Sequence, residues 1–447
     1  MPKLSIIKNL KTKLNSTQTI LGSFVMAIFL GALLLSLPIS SKGHHPTDFL
    51  TCLFTATSSM CVTGLVVVDT ATHWSFFGQL IILILIQFGG LGIIVIASII
   101  AVFLGQKINL IHRTTLQEAL SVQKVGGIIK LTKFIINGVI LFESLGAILL
   151  FTHFIQEFNL PTAIWYSIFH SISAFCNAGF DLMGFRENFS SLTYYQSNIL
   201  INVTIIFQIV VGGLGFTVWN NIVKKKTNFR KYSLQSKIVI FTTLILIIIP
   251  AIYFYFFEFN KLTGSTRVLS SLFQSITTRT AGFNTADFSA MSEVGQAISI
   301  ILMLIGGSPG STAGGMKTTT IAILVISTVA IFRKENEPHI FYRRIDVQII
   351  KNAITIFMLY LSLFLIASFV ICKIENASLL KTCFEVSSAI GTVGLSHNFT
   401  GSLSSISRII VIILMFLGRV GGLTFIYAIM PALNKKAGYI AEDVTVG

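Results

Sequence analysis

Apolar residues in this chain come in long unbroken blocks, with neither the two-residue alternation of a half-buried strand nor a single amphipathic stripe. Eight blocks, at approximately 20–38, 78–104, 134–156, 198–222, 238–257, 296–331, 352–372 and 408–430, are each long enough to cross a bilayer, which takes roughly 20 apolar residues. Between the members of each pair lies a shorter block, at 50–61, 165–176, 268–278 and 378–390. Runs of about 10–14 residues are too short to span and fit re-entrant helices. Each short block runs directly into a polar turn containing glycine. The predicted unit is long helix, short helix, turn, long helix, four times over. The first long helices begin near 20, 134, 238 and 352, a spacing of 114, 104 and 114 residues, and internal repetition of this kind sets the architecture. The pattern predicts an all-α polytopic membrane protein. It has an N-terminal segment (1–17), repeats at 18–105, 106–223, 224–332 and 333–431, and a tail (432–447).

Composition agrees. Of 447 residues 53% are hydrophobic and 11% charged, against about a quarter charged in soluble domains, and mean hydropathy is +0.82. This excludes an ordinary cytosolic enzyme. The net charge of +15 would suggest nucleic acid in a soluble protein, but here it sits in short loops between spans, so the bilayer is the partner and nucleic acid is not. The N-terminus, the loops near 105–133, 224–237 and 333–351, and the tail hold 22 Lys and Arg; the opposite loops hold eight. By the positive-inside rule both termini are cytoplasmic and the short helices enter from outside. Lys3, Lys8, Lys11 and Lys13 ahead of the first block suggest a signal peptide. The block is long enough to span, however, and is followed by Pro38-Ile39-Ser40-Ser41-Lys42 rather than a small-residue cleavage site. Five cysteines without CxxC spacing give no disulfide framework or zinc site.

The four turns carry the candidate chemistry. They contain Val62-Thr63-Gly64, Asn177-Ala178-Gly179, Thr280-Ala281-Gly282 and Thr392-Val393-Gly394, each followed by Leu or Phe. A phenylalanine (Phe54, Phe169, Phe273, Phe384) precedes the glycine by 10, 10, 9 and 10 residues. A potassium ion leaving water needs oxygens that replace its hydration shell, and backbone carbonyls supply them without a fixed charge that would trap the ion. Aiming successive carbonyls at one axis needs backbone angles that glycine adopts cheaply. Irregular backbone at membrane depth is tolerated where it lines a pathway or is buried in protein. Four such turns around a pseudo-fourfold central pore would form a K+ selectivity filter of carbonyls, the only metal site expected.

The sixth span contains Gly306-Gly307-Ser308-Pro309-Gly310-Ser311-Thr312-Ala313-Gly314-Gly315. Glycine costs ~1 and proline ~3 kcal/mol against alanine inside a helix, so this span alone is expected to break into two half-helices around a loop. The loop begins 24 residues after Gly282, and Arg419 lies 25 after Gly394, which sets both at similar depth inward of the turns. A cation inside a span is costly and by default functional. The reading is a gate: the loop crosses the pathway and Arg419 donates to it. Lys317 either pairs with the loop in the same way or snorkels. The glycine sets Gly89-Gly90-Leu91-Gly92, Gly212-Gly213-Leu214-Gly215 and Gly421-Gly422-Leu423-Thr424 are read first as close helix packing and second as bends.

The sequence resembles the membrane subunit of the Ktr/Trk/HKT superfamily of potassium transporters, closest to the bacterial KtrB/KtrD type. The resemblance runs from Leu35–Ser40 through Val62-Thr63-Gly64-Leu65 and Asn177-Ala178-Gly179-Phe180 to Gly418-Arg419-Val420-Gly421-Gly422-Leu423-Thr424. It implies four M1–pore helix–M2 repeats, Gly64, Gly179, Gly282 and Gly394 as selectivity glycines, and potassium uptake across the bacterial plasma membrane. It also implies an intramembrane loop in the third repeat, an arginine in the last M2 helix, a homodimer, and a cytosolic nucleotide-binding ring of the KtrA/KtrC type that controls the gate. No covalent cofactor is called for. K+ is the transported ion, and Na+ is a candidate activating or coupled ion. With no Walker A sequence and only short cytoplasmic loops, regulation must come from another chain. Among the remaining residues, Asp69, Asp181, Asp287, Glu187 and Glu293 are candidates for an outer cation funnel or ordinary loop charges. Glu385 is expected to pair near the filter, with Arg279 as the candidate partner. Glu143 needs a polar neighbour, His170 is read as a hydrogen-bonded scaffold residue, and Cys61 and Cys176 as packing.

Overall fold

The computed structural model describes residues 16–92, 95–96, 115–117, 127–335 and 337–422. Both termini, most of the loop expected at 105–133 and the inner ends of the second and eighth spans lie outside the described residues. The first repeat contains α1 (Ser16–Leu35), α2 (Phe49–Met60) and α3 (Phe76–Leu91). The second contains α4 (Ile128–Glu157), α5 (Leu160–Phe175), α6 (Ile199–Leu214) and its continuation α7 (Phe216–Lys225). The third contains α8 (Leu234–Tyr253), α9 (Gly264–Thr277), α10 (Glu293–Leu304) and, beyond a loop, α11 (Thr318–Phe332). The fourth contains α12 (Val347–Glu375), α13 (Leu379–Gly391) and α14 (Ser405–Val420). A two-residue hairpin, β1 (His339–Ile340) with β2 (Arg343–Arg344), joins the last two repeats.

The first helix of every repeat is long and apolar enough to cross a membrane, and its outward side chains, such as Met26, Ile140, Ile249 and Ile366, remain exposed for lipid. Sequence sets where the helices start. Ser75, Asn198, Ser292 and Ser404 accept from the backbone N–H three residues on, capping α3, α6, α10 and α14. Asp48, Asn159 and Ser378 do the same for the short helices α2, α5 and α13. The short helices form the centre, and the repeated phenylalanines Phe54, Phe169, Phe273 and Phe384 are all fully buried. Each repeat passes its last helix to the next: α3 packs on α5, α6 on α9, α10 on α13 and α14 back on α2. The cycle closes four M1–pore helix–M2 repeats around one axis.

Breaks are more general than composition suggests. Instead of one broken span, the second long helix is interrupted in every repeat, in the third four residues earlier than in the others. Gly92 (φ 87°), Gly215 (φ 94°) and Gly421 (φ 89°) end α3, α6 and α14, each 17 residues after its N-cap. In the second repeat α6 and α7 meet at 94°. The glycine sets pack and end the helix, and in the second repeat they also bend it. Gly89, Gly212 and, in the fourth repeat, Gly418 lie so close to the carbonyls of Met60, Phe175 and Ile390 that a Cβ would overlap them; Gly92, Gly215 and Gly421 take the left-handed φ open to glycine. The register also shifts in the fourth repeat. Gly418-Arg419-Val420-Gly421 matches Gly89-Gly90-Leu91-Gly92, so Arg419 replaces a glycine.

Candidate ion pathway

The turns after α2, α5, α9 and α13 meet at the axis. Gly64, Gly179, Gly282 and Gly394 all have positive φ (89°, 69°, 78° and 99°). So do Val62, Asn177, Thr280 and Thr392, two residues earlier (57°, 58°, 66° and 51°); Thr63, Ala178, Ala281 and Val393 between them do not. Alternation of positive and negative φ turns successive carbonyls to one side instead of to opposite sides, as they lie in a strand. The glycines touch in cyclic order. A Cβ on Gly64 would overlap the carbonyl of Ala178, one on Gly179 would lie 2.8 Å from that of Ala281, one on Gly282 would overlap that of Val393, and one on Gly394 that of Thr63. All twelve filter residues named from the sequence are therefore brought together. The last turns of α2, α5, α9 and α13 face this ring, and helix C-termini carry partial negative charge that favours a cation.

Hydroxyl residues that sequence reasoning passed over hold the turns in place. Ser58 accepts from Gly64 N (3.1 Å) through its side chain and from Thr63 N (2.8 Å) through its carbonyl. Ser388 repeats this with Gly394 N (3.0 Å) and Val393 N (2.8 Å). In the middle repeats the hydroxyl turns the other way. Ser173 Oγ donates to Phe180 O (2.7 Å) and Thr277 Oγ1 to Phe283 O, while their carbonyls still take Ala178 N and Ala281 N. With these N–H groups bonded outward, the carbonyls are left to the axis. The available signal was a Ser or Thr six, six, five and six residues before each glycine.

Beneath the ring runs the loop between α10 and α11. Gly306 N donates to Met316 O (2.7 Å), which closes its base. Ser308 N and Thr312 N donate to Gly213 O and Gly212 O of the second repeat, and Thr312 Oγ1 to Phe175 O (3.0 Å). At the other side Gly315 N donates to Gly418 O (3.1 Å) and Gly314 packs on Thr392. Arg419 donates to Thr312 O and also to Gly89 O and Gly90 O (3.1 Å to the latter) of the first repeat. Lys317 Nζ donates to Ala313 O (2.8 Å) and Gly314 O (3.3 Å), so it bonds the loop and does not reach away from it. The loop thus touches the second and fourth repeats directly and the first through Arg419.

Other candidates divide. Glu385 does not pair with Arg279: Ser396 Oγ (2.7 Å) and Thr400 Oγ1 donate to it, and the Arg279 side chain is buried with no partner among the described residues. A pore-helix carboxylate is met by hydroxyls from the loop that follows the fourth filter turn, and sequence spacing does not reveal that. Glu143 accepts from Gln87 Nε2 (3.1 and 3.2 Å). His170 donates to Tyr166 O and accepts from Leu182 N. Asp69, Asp181 and Asp287 accept from backbone N–H groups of their own turns, and Asp69 also from Phe189 N of the second repeat (3.0 Å), while Glu187 and Glu293 are exposed. Among the described residues no group of His, Cys, Asp and Glu is placed to hold a metal ion.

The family of cation transport proteins described as TrkH matches residues 12–436. A potassium/sodium uptake protein of Enterococcus hirae, NtpJ, is 37% identical over 98% of this chain and 99% of its own length. Ktr system potassium uptake protein B of Bacillus subtilis is 36% identical over 96% of both. The crystal structure of the potassium transporter TrkH from Vibrio parahaemolyticus superposes with a TM-score of 0.74 at 17% identity, covering 94% of this chain and 86% of the other.

Proposed function

The chain belongs to the TrkH cation transport family, and on that premise we propose that it is the ion-translocating subunit of a bacterial potassium uptake system. One observation carries the reading: four left-handed turns close a ring in which each glycine lies against the carbonyl preceding the next glycine. The oxygens of Val62, Thr63, Gly64, Asn177, Ala178, Gly179, Thr280, Ala281, Gly282, Thr392, Val393 and Gly394 replace the hydration of K+. The ion then meets the loop from Gly306 to Gly315, held by Lys317 and Arg419, which must move for it to pass. The inward force is electrical, ~2.3 kcal/mol per charge at 100 mV. Both termini and the basic loops face the cytoplasm, where a nucleotide-binding partner acts on the loop, and two copies of the subunit assemble. The name of the Bacillus subtilis relative, part of a Ktr system, supports a partner chain. The name of the Enterococcus hirae relative supports Na+ as a second ion at the same ring.

Reconstituted flux in K+ and Na+ gradients tests this. Wild-type protein should pass K+ in preference, and Gly282→Ser or Gly394→Ser should remove the preference. Transport whose selectivity survives both changes would overturn the filter assignment.

A further inference from the structure

The mechanism above leaves a carboxyl of the first long helix of the second repeat unused. Glu143 lies in the middle of α4, where an ionisable side chain is expensive and is a functional candidate by default. Its surroundings fix it in place. Ser171 Oγ donates to its carbonyl (2.6 Å), and Gln208 Nε2 donates to the neighbouring Phe142 carbonyl (2.7 Å) and to Ser171 Oγ (3.1 Å). The second repeat therefore presents the carboxyl to α3 of the first repeat as a rigid fixture.

Gln87 is what it meets. Its Nε2 donates to both carboxyl oxygens, and its Oε1 accepts from Cys176 Sγ (3.5 Å), the residue directly before Asn177 in the second filter turn. Gly90 lies against the same cysteine, so that a Cβ there would be 2.6 Å from Sγ. Two and three residues beyond Gln87 are Gly89 and Gly90, whose carbonyls accept from Arg419. The positions equivalent to Gln87, twelve residues after each N-cap, are Val210, Leu304 and Phe416. Among the described residues, the Gln87–Glu143 contact therefore has no counterpart at the equivalent positions of the other repeats, and it stands beside the helix whose carbonyls hold Arg419.

We propose that Gln87 and Glu143 are positioning residues for permeation: they fix the Gly89 and Gly90 carbonyls that seat Arg419, and so tie the second filter turn to the loop. This rests on the reading of the loop as a gate. The coupling passes through contiguous hydrogen bonds and one helix turn, and comparable couplings change an equilibrium by roughly two- to thirtyfold.

The test is K+ flux of the full-length protein in liposomes. Arg419→Ala should change the rate the most. Gln87→Leu and Glu143→Leu should move it in the same direction by roughly three- to tenfold. Glu143→Gln, which keeps an acceptor for Gln87, should restore most of the wild-type rate. Gln87→Leu combined with Arg419→Ala should behave as Arg419→Ala alone. Gln87→Met, with elution and thermal midpoint compared against wild type, stands in if the leucine variant does not fold. An unaltered rate in Arg419→Ala would remove the gate reading itself. An altered rate there with silent Gln87 variants, or with effects that multiply in full in the double variant, would overturn the present inference alone. So would a Glu143→Gln variant that fails as badly as Glu143→Leu.

Discussion

The ring of four turns and the layer directly beneath it come from the same four repeats but are built on different terms. In the ring the repeats are near copies: a left-handed residue, an ordinary one, a left-handed glycine, and a hydroxyl residue tethering them. One layer inward the copies diverge. The residue three before each ring glycine is Cys61, Cys176, Arg279 or Gly391, and the residue fifteen after each N-cap is Gly90, Gly213, Gly307 or Arg419. Coordination of one ion on an axis asks the same of every repeat. A loop that crosses that axis comes from one repeat, and each of the others must receive it differently.

The largest effects should come from breaking the ring. Alanine at Gly64, Gly179, Gly282 or Gly394 forces a Cβ residue into the left-handed region and drives that Cβ at a neighbour's backbone carbonyl. The strain is ~1–2 kcal/mol before the clash is counted. Near-equivalence of the repeats predicts that all four variants lose K+ over Na+ discrimination by at least about tenfold, which is ~1.4 kcal/mol, measured as flux ratios in liposomes. A variant at one position that discriminates normally would show that its repeat does not line the ring.

Next in size is the asymmetric layer. Arg419→Ala removes the donor that joins Thr312 O to the Gly89 and Gly90 carbonyls, and so unties the loop from the first repeat. The K+ rate should change several-fold, of the order of couplings carried through such networks, while the K+/Na+ ratio stays within about twofold. Loss of selectivity in this variant would mean that the two layers are not separable.

What was legible in the sequence follows the same division. The ring glycines stand out because one physical demand is met four times at a regular period. The hydroxyl tethers were visible as scattered Ser and Thr, but their partners are backbone N–H groups, which leave no mark on the sequence. The helix ends at Gly92, Gly215 and Gly421 came only second to packing in the sequence because one glycine set does both, and composition weighs only the extreme case in the third repeat. The reach of Arg419 to the first repeat was invisible for the same reason as the tethers: carbonyl acceptors have no residue identity. Glu385 was matched to Arg279 as an opposite charge near the filter, whereas two hydroxyls of the loop after the fourth filter turn satisfy it.

The tethers allow a smaller and finer test of the ring. Ser58→Ala and Ser388→Ala leave the N–H groups of Gly64 and Gly394 buried without an acceptor, a cost of ~1–3 kcal/mol. Ser173→Ala and Thr277→Val remove donors to carbonyls that keep a second lone pair, which costs less, nearer the ~1 kcal/mol net worth of a hydrogen bond. Thermal midpoints in detergent should fall further for the outer pair of repeats, first and fourth, than for the middle pair. Equal losses in all four would mean that the direction of the hydroxyl does not matter.

The smallest expected effect lies on the outer side of the ring, where one repeat again departs from the rest. Three residues after the ring glycines stand Val67, Leu182, Thr285 and His397. His397 stacks on the pore-helix Phe384 with ring centroids 4.0 Å apart. Burial holds its imidazole down at about 4, with Lys381 pushing the same way and Asp287 opposing. The unfolded chain has an ordinary imidazole near 6.5. Between those values the unfolded chain takes up a proton that the folded protein refuses, so stability falls as pH drops through the window and is fully present above it. His397→Phe keeps the stack and removes the titration. Its thermal midpoint in detergent should therefore vary less than that of wild type between pH 6.5 and 4, while the two profiles run parallel above pH 7. Profiles that stay parallel throughout would mean that His397 is solvated and that the outer face of the fourth repeat is no more tightly packed than the others.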